Sequence, residues 1–382
     1  MKIKTLTTYD VYNYGASLQA YALQHYLIGI GNEVEIIRYQ PDYLSRKYDY
    51  AWVNPESKAS KYMVTRIIYR VAKFLHRQTT LKRKHAFDRF NHQVLKETPL
   101  IYHTYQELCD NPPQADLYIC GSDQIWNIHH ENGRDPAFFL EFVRQGVKAS
   151  YAASFSYLDI DEENFKRIQN SLRTFNAISV REYHGIDILK RMGFKGTWVL
   201  DPVFLLSGLE WKALIENSCL KPNNGERYLL VYDFEGNDLL KECAISYAKK
   251  NSLKIFAIVD NFPVLYADKN YMGAGPVEFV HLISNCEAFM SNSFHGSAFS
   301  IMFHKKFWVF KRLRQSVNSR MESLLALFEL SEVLVSDAEQ FGRVAHFVFD
   351  WENVENLKSL KLTESKNFID NLLYSHSESS FI

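Results

Sequence analysis

Ser291-Asn292-Ser293-Phe294-His295-Gly296-Ser297-Ala298 is the stretch on which the fold turns. Before it, Glu287-Ala288-Phe289-Met290 is a short apolar run that reads as a buried strand. After it, Ala298-Phe299-Ser300-Ile301-Met302-Phe303 reads as a helix that ends near Lys305 and Lys306. A polar cluster thus stands where a strand hands over to a helix, which is where an open α/β sheet places its ligand. Ser291 or Ser293 caps the helix by accepting from a first-turn amide. The remaining free amides and the helix dipole favour an anion. His295 stands in the first turn, and Gly296 removes a side chain so that a ligand can approach the backbone. The competing reading is a capped helix whose histidine satisfies a neighbour. The convergence of several polar groups on one strand end favours a pocket.

A chain of 382 residues suggests two domains at ~150 residues each. With 47% hydrophobic and 23% charged residues it is globular, not disordered. Lys plus Arg equals Asp plus Glu at 44 each, so bulk nucleic-acid binding is not expected and any electrostatic function must be local. Cysteines at 109, 120, 219, 243 and 286 are odd in number and form no Cys-x-x-Cys, which argues against a disulfide framework or a thiolate zinc site. Met1-Lys2-Ile3-Lys4-Thr5 has no apolar signal core, and no run approaches the ~18 apolar residues of a membrane span. A cytoplasmic protein without a metal centre is the expectation.

Working outward, Ile3 to Thr8 alternates as a first strand, Leu18, Ala22, Leu23, Tyr26 and Leu27 recur at helical spacing, and Val34 to Tyr39 is a second strand. In this βαβ opening the loop Asn13-Tyr14-Gly15 is a candidate ligand contact at a helix N-terminus. It is not G-x-G-x-x-G, so no dinucleotide is implied. Asp116 to Cys120 is a buried strand delivering Gly121-Ser122-Asp123-Gln124-Ile125-Trp126-Asn127. Ser122, Asp123 and Asn127 can take hydroxyls while Trp126 covers an apolar sugar face; an ordinary loop with a buried Trp is the alternative. Ala177 to Glu182 is a strand with Arg181 at its end, and Trp198 to Pro202 is another. Asp159-Ile160-Asp161 superficially matches a metal-binding D-x-D, but Asp161 more simply caps the helix starting near Glu162.

Lys221 to Glu226 is a linker, and a second βα series follows it. Tyr228–Tyr232, Lys254–Val259 and Phe307–Phe310 are strands; Leu239–Lys250 and Val277–Cys286 are helices. Arg312 and Arg314 follow the last strand, and Arg320 opens a further helix. The fold class is therefore α/β, with two Rossmann-like domains facing across a cleft in a GT-B-like arrangement. Residues 1–220 are expected to form the first domain and residues 221–382, with the Ser291-to-His295 motif, the second; for a group-transfer reaction they would be the acceptor and donor sides in that order. Residues 58–92 carry ten Lys/Arg against Asp88 alone. Within them Arg66, Arg70, Lys73 and Arg77 form a basic stripe beside an apolar arc from Met63 to Leu75. Such a helix suits an anionic membrane surface; a domain helix with a solvated basic face is the plainer reading.

Together these motifs resemble the polysaccharide pyruvyl transferase family over nearly the whole chain. The resemblance rests on Asn13-Tyr14-Gly15, Gly121 to Asn127, Tyr151-Ala152-Ala153-Ser154, Ser179 to Glu182, Leu200-Asp201-Pro202, Ser291 to His295, and Asn318-Ser319-Arg320, in that order. It implies a GT-B-like fold and transfer of pyruvyl from phosphoenolpyruvate to a sugar as a cyclic ketal, with no cofactor beyond that donor. It places the family's functional histidine at His295 and its donor-binding arginine at Arg181. Members often carry Arg two residues before that histidine, where this chain has Ser293. Arg312, Arg314 or Arg320 would then take over, or the donor differs. Phosphoenolpyruvate brings a carboxylate and a phosphate, so two anion sites are needed; the helix N-terminus at Ser291, Ser293 and Gly296 and the arginines can supply them. A histidine can serve either proton transfer. A nucleotide-sugar glycosyltransferase and a non-catalytic sugar-binding protein remain the alternatives. The expected acceptor is a sugar or lipid-linked oligosaccharide, with peripheral contact at the inner membrane face through the 61–77 helix.

Overall fold

Strands that are apolar without alternation need both faces covered, and this chain meets that need with parallel sheets flanked by helices. The computed structural model describes residues 1–45, 53, 61–75, 77–157, 159–216, 218, 220, 225–260, 263–312 and 318–377. The first half runs β1 (Lys2–Leu6), α1 (Tyr14–Gly29), β2 (Glu33–Tyr39), α2 (Asp42–Ser45), α3 (Met63–Leu75), α4 (Arg77–Val94), β3 (Glu97–Tyr102), α5 (Tyr105–Asp110), β4 (Leu117–Cys120) and β5 (Val147–Ser150). Its strands form a parallel sheet in the order β3-β2-β1-β4-β5. Then follow α6 (Glu162–Leu172), β6 (Ser179–Val180), α7 (Tyr183–Arg191), β7 (Thr197–Trp198), paired to β6, and α8 (Gly208–Ile215).

The second half runs β8 (Tyr228–Tyr232), α9 (Asp238–Lys250), β9 (Lys254–Ile258), β10 (Lys269–Tyr271), α10 (Pro276–Asn285), β11 (Ala288–Ser291), α11 (Phe294–Met302), β12 (Lys306–Phe310), α12 (Ser319–Leu327), β13 (Leu334–Val335), α13 (Ala338–Val344) and α14 (Trp351–Ser377). Its parallel sheet has the order β10-β9-β8-β11-β12-β13. Both sheets reverse direction of winding beside their first strand, at β1/β4 and at β8/β11. A crevice opens at the carboxyl end of such a switch point. The loops after β1, β4, β8 and β11 are therefore the ones that can meet.

The halves share a core. Tyr14 from α1 stacks on Phe279 of α10 at 4.6 Å and 7°, and its hydroxyl donates to the Ala274 carbonyl at 3.1 Å. Arg83 of α4 donates to the Tyr12 carbonyl at 2.9 Å and pairs with Asp260, beyond β9, at 3.0 Å. The long α14 returns to the first sheet: Ile369 and Leu372 are buried with Ile3, Leu23, Leu27 and Val34. Buried Ser365 on the same helix accepts from the Leu200 amide at 2.9 Å. So α14, expected with the second domain in residues 221–382, begins on that domain, where Val354 is buried and His304 Nε2 lies 2.7 Å from Glu355, and its C-terminal half packs on the first. The linker residues 221–224 lie outside the described residues.

Several local expectations change for identifiable reasons. Trp198 to Pro202 is not one strand. The chain leaves β7 at Trp198, and Asp201 caps a short 3₁₀ turn by accepting from the Val203 amide at 3.1 Å. Asp161 does cap α6, accepting from Asn164 at 2.9 Å. Of the expected 61–77 helix, α3 spans Met63–Leu75 and Arg77 belongs to α4; residue 76 lies outside the described residues. The apolar arc of α3 is solvent-exposed: Met63 is 78% and Ile68 61% exposed.

Because Ile369 is buried in the first domain's core, Ile369→Ala is expected to cost ~2–5 kcal/mol in urea unfolding. The accompanying loss of amide protection should fall on β1 and α1. Loss confined to β8–β12 would contradict the packing described here.

Candidate active site

Two helix N-termini, one from each sheet, abut at His295. In the first half Asn13 caps α1, its Oδ1 accepting from the Ala16 amide at 3.3 Å. In the second half Ser291 Oγ donates to the Tyr232 carbonyl at 2.5 Å and accepts from the Ser293 amide at 3.0 Å. Ser293 then caps α11 by accepting from the Gly296 amide at 3.2 Å. This turn puts His295 in the first turn of α11, against Gly15 in the first turn of α1. A β-carbon on Gly15 would stand 1.8 Å from His295 Nδ1. Glycine is needed at 15 because the two helices approach so closely.

Beneath the histidine lies a buried charge cluster. Asp201 Oδ2 accepts from Arg181 Nη1 at 2.8 Å, lies 3.2 Å from Ser122 Oγ, and is 3.5 Å from His295 Nε2. Arg181 Nη2 reaches Asp123 Oδ1 at 3.2 Å, and Arg320 Nη1 stands 3.8 Å from the same oxygen. Burial raises both carboxyls, but the positive field outweighs it. His295 and Arg181 hold Asp201 well below the usual carboxylate range. Arg181, His295 and Arg320 hold Asp123 down. Asp123 also sits in the left-handed region with φ 71°, a conformation a non-glycine residue keeps only when its surroundings enforce it. The Arg181 guanidinium lies 4.5 Å from the Phe294 ring centroid.

Above this cluster a polar lobe of about 90 Å³ is lined by Asn13, Asp123, Ser293, His295, Arg312 and Arg320, among others. It adjoins a larger lobe of about 360 Å³ that shares Asn13, Asp123, Gln124, Phe234 and Arg312. Arg320 is 7% exposed, and its Nε has no hydrogen-bond partner among the described residues. The Gln124 amide lies 3.1 Å from both of its terminal nitrogens and accepts from them when its oxygen faces the guanidinium. Burial, with Arg181 nearby, pulls the Arg320 guanidinium down to about 10. It is still a cation at neutral pH, in a place that favours an added negative charge. Its neighbour Ser319 crosses the cleft to donate to the Ser156 carbonyl at 3.1 Å. Among the described residues no group of His, Cys, Asp or Glu could hold a metal ion.

Of the residues expected from sequence, Asn13, Asp123, Ser293, His295, Arg312 and Arg320 line this cleft. Ser122 and Ser291 stand behind it, holding Asp201 and the α11 cap. Others do not reach it. Trp126 is wholly buried, donates to the Phe138 carbonyl at 3.1 Å and stacks on Phe139, so it cannot cover a sugar. Asn127 is also buried, its Oδ1 accepting from the His129 amide at 3.0 Å. Tyr14 belongs to the packing between the halves. Gly296 serves close packing, not ligand approach: a β-carbon there would meet the Phe289 ring at 2.5 Å. Arg181 pairs with two carboxylates and its side chain is 1% exposed, which turns its terminal nitrogens away from the cleft, although its Nε, like that of Arg320, has no hydrogen-bond partner among the described residues. Arg314 lies outside the described residues. Sequence reasoning missed Asp201, Gln124 and Asn292, whose amide bridges to Asp233 at 2.8 Å. The Leu-Asp-Pro context of Asp201 looks like a helix cap, which it also is.

Removing Arg181 would strand two buried carboxylates. Arg181→Ala is accordingly expected to lower stability by ~3–5 kcal/mol in chemical unfolding. A variant of unchanged stability that only binds ligand less well would restore Arg181 as a direct contact.

No curated protein matches the chain. Among solved structures it is similar to UDP-GlcNAc 2-epimerase from Neisseria meningitidis bound to UDP-GlcNAc, with TM-score 0.52 and 12% identity over 98% of this chain and 100% of that one. The UDP-N-acetylglucosamine 2-epimerase from Rickettsia bellii gives TM-score 0.52 and 12% identity over 99% and 97%. A putative UDP-N-acetylglucosamine 2-epimerase from Listeria monocytogenes gives 0.56 and 8% over 99% and 97%. At such identities the likeness is one of fold, two Rossmann-like domains of the GT-B type. The family described as polysaccharide pyruvyl transferase matches residues 13–312, a span that begins at the α1 cap, ends at the arginine following β12, and includes β4, β8 and β11. The chain therefore belongs to the polysaccharide pyruvyl transferase family and is a transferase.

Proposed function

We propose that the protein transfers pyruvyl from phosphoenolpyruvate to two hydroxyls of a sugar in a surface polysaccharide or its lipid-linked precursor, forming a cyclic ketal. The observation that carries this reading is buried Arg320, its Nε without a partner, lining a polar lobe beside His295 and the α11 N-terminus. A small dianion suits that lobe. A planar guanidinium can take carboxylate or phosphate oxygens in a bidentate way, and helix amides can take the other anionic group. Arg320 and Arg312 occupy the role that an arginine at position 293 would otherwise have. The acceptor is assigned to the larger lobe, where Thr8, Tyr12, Asn13, His130, Asn132 and Phe234 mix neutral polar groups with aromatic surface, the combination a sugar ring requires.

In the reaction the C2–C3 π pair of phosphoenolpyruvate takes a proton at C3, and a first sugar hydroxyl adds its oxygen to C2. The second hydroxyl then bonds C2 as the phosphate leaves with its bonding electrons. Two hydroxyl protons are released in all. One balances the proton gained at C3 and the other departs with phosphate or solvent. His295 is the acid–base group.

Lipid-linked acceptors favour an enzyme that touches the inner membrane face. No helix of the described residues is long and apolar enough to cross a membrane. The exposed apolar residues Met63, Val64, Ile67, Ile68, Val71 and Phe74 of α3, beside Arg66 and Arg70, fit shallow contact with an anionic leaflet.

The decisive measurement is phosphate release from phosphoenolpyruvate in the presence of candidate glycans. Release of a nucleoside diphosphate from a nucleotide sugar instead would replace this reading by glycosyl transfer. Arg320→Ala should weaken phosphoenolpyruvate binding about 10–100-fold in calorimetry, the ~1.5–3 kcal/mol of a charge-assisted contact, without loss of fold. Unchanged affinity would remove Arg320 from the donor site.

For the surface, co-sedimentation should show binding to anionic vesicles at low salt that fades at high salt. Equal recovery with neutral vesicles, or none with either, would leave α3 without a membrane role.

A further inference from the structure

We infer that Asp201 is a positioning residue that holds the proton of neutral His295 on Nε2 and so makes Nδ1 the nitrogen that works on the substrate. The tautomer is independent of the reaction, whereas the catalytic consequence rests on the pyruvyl-transfer reading above.

The geometry is one-sided. His295 Nε2 is buried, has no hydrogen-bond partner among the described residues, and faces Asp201 Oδ2 at 3.5 Å. That carboxylate cannot turn away. Its Oδ1 is taken by the Val203 amide at 3.1 Å, and its Oδ2 by Arg181 Nη1 at 2.8 Å with Ser122 Oγ at 3.2 Å. On the opposite edge of the ring, Nδ1 lies over the bare α-carbon of Gly15, where any side chain would collide with it. Nδ1 is also not among the buried polar atoms that lack a partner, and no group of the described residues bonds it, so it is the ring nitrogen that reaches the cleft His295 lines.

The remaining charges around the ring reinforce this arrangement. Asp123, after β4, lies on the far side of Arg181, and Arg320 comes from α12. The first turn of α1 presents Asn13 and Gly15, neither of which titrates, and the first turn of α11 itself carries no other charged side chain. Asp201 is therefore the anion nearest the ring among the described residues. A neutral imidazole has one donor and one acceptor nitrogen, and a fixed carboxylate selects the tautomer with the proton facing it. Nδ1 then holds the lone pair.

The chemistry follows with one proton in transit. With the ring charged, Nδ1–H gives its proton to C3 of phosphoenolpyruvate as the C2–C3 π pair forms the new C–H bond. The neutral ring then takes the proton of the first sugar hydroxyl at Nδ1 as that oxygen bonds C2. The imidazole returns to its starting state, while Nε2–H stays directed at Asp201 throughout. Donor and acceptor must accordingly reach the open edge of Nδ1 from the polar lobe that Asn13, Ser293 and His295 line, beside Gly15 and not over it.

The test is nitrogen-15 NMR on histidine-labelled enzyme, with the His295 signals identified by their loss in His295→Gln. The wild-type protein, in the neutral form of the ring, should show a protonated Nε2 and an unprotonated Nδ1. Asp201→Asn keeps the shape but removes the charge, and one carboxamide oxygen cannot serve the Val203 amide, Arg181 and His295 Nε2 together. In it the tautomer should become mixed or invert, and kcat should fall about 10²-fold or more, as when a histidine-orienting carboxylate becomes an amide, with donor KM within about threefold. A wild-type ring protonated on Nδ1 overturns the inference, whether or not the variant folds. An Asp201→Asn protein with unchanged tautomer and kcat overturns it as well. Failure of the wild type to release phosphate from phosphoenolpyruvate, by contrast, overturns the proposed reaction and leaves the tautomer assignment to be judged by the spectrum.

Discussion

His295 can occupy its position only because residue 15 has no side chain. The contact joins the first turns of α1 and α11, so it ties the switch point of one sheet to that of the other. The rest of the cleft follows from that approach. Asn13 and Ser293 must cap their helices at the same place, which brings two sets of first-turn amides toward one small volume. The positive ends of the two helix dipoles would repel each other in an empty cleft, and an anionic ligand relieves that cost. Packing between the halves, through Tyr14 on Phe279 and Arg83 on Asp260, supplies the energy that holds the termini together.

Charge accounting separates the arginines that a linear reading treats alike. Arg181 satisfies Asp201 and Asp123 and lies under Phe294, so its charge is spent inside the protein. Among the described residues Arg320 has a long approach to Asp123, an amide neighbour in Gln124 and the Phe294 ring at 5.9 Å. The internal salt-bridge network thus serves to fix the geometry of His295, while the cation that lines the polar lobe is supplied from α12 of the other half. This division also gives a physical place to Ser293. A serine there caps α11 and leaves room beneath Arg320, whereas an arginine at that position would add its charge to a site already holding Arg312 and Arg320.

The helix α3 stands apart from this logic. A helix with apolar residues on its surface is normally explained by the core it covers. Here the residues from Met63 to Phe74 whose side chains are described are largely exposed to solvent among the described residues. Exposed apolar patches of this kind mark contact surfaces, which is why the membrane reading belongs with the proposed function and not with the fold.

What the sequence by itself determined was everything governed by local pattern. The alternation of apolar strands with helical spacing identified the two βα series. Strands such as Tyr228–Tyr232 appear as read. The caps at Asp161 and Ser293 and the place of His295 at a strand-to-helix mouth were legible because capping and periodicity involve residues a few positions apart. Short edge strands such as β10 and β13, and the return of α14 to the first sheet, were not, since what they pack against lies far away in the chain. Only the tertiary structure decided which polar side chains converge. It put Trp126 and Asn127 in the core, spent Arg181 on carboxylates 20 and 58 residues distant, and made a cap residue, Asp201, the partner of His295. The reason is physical: a side chain's burial and charge pairing are set by whatever the fold brings beside it, and a local pattern carries no record of that neighbour.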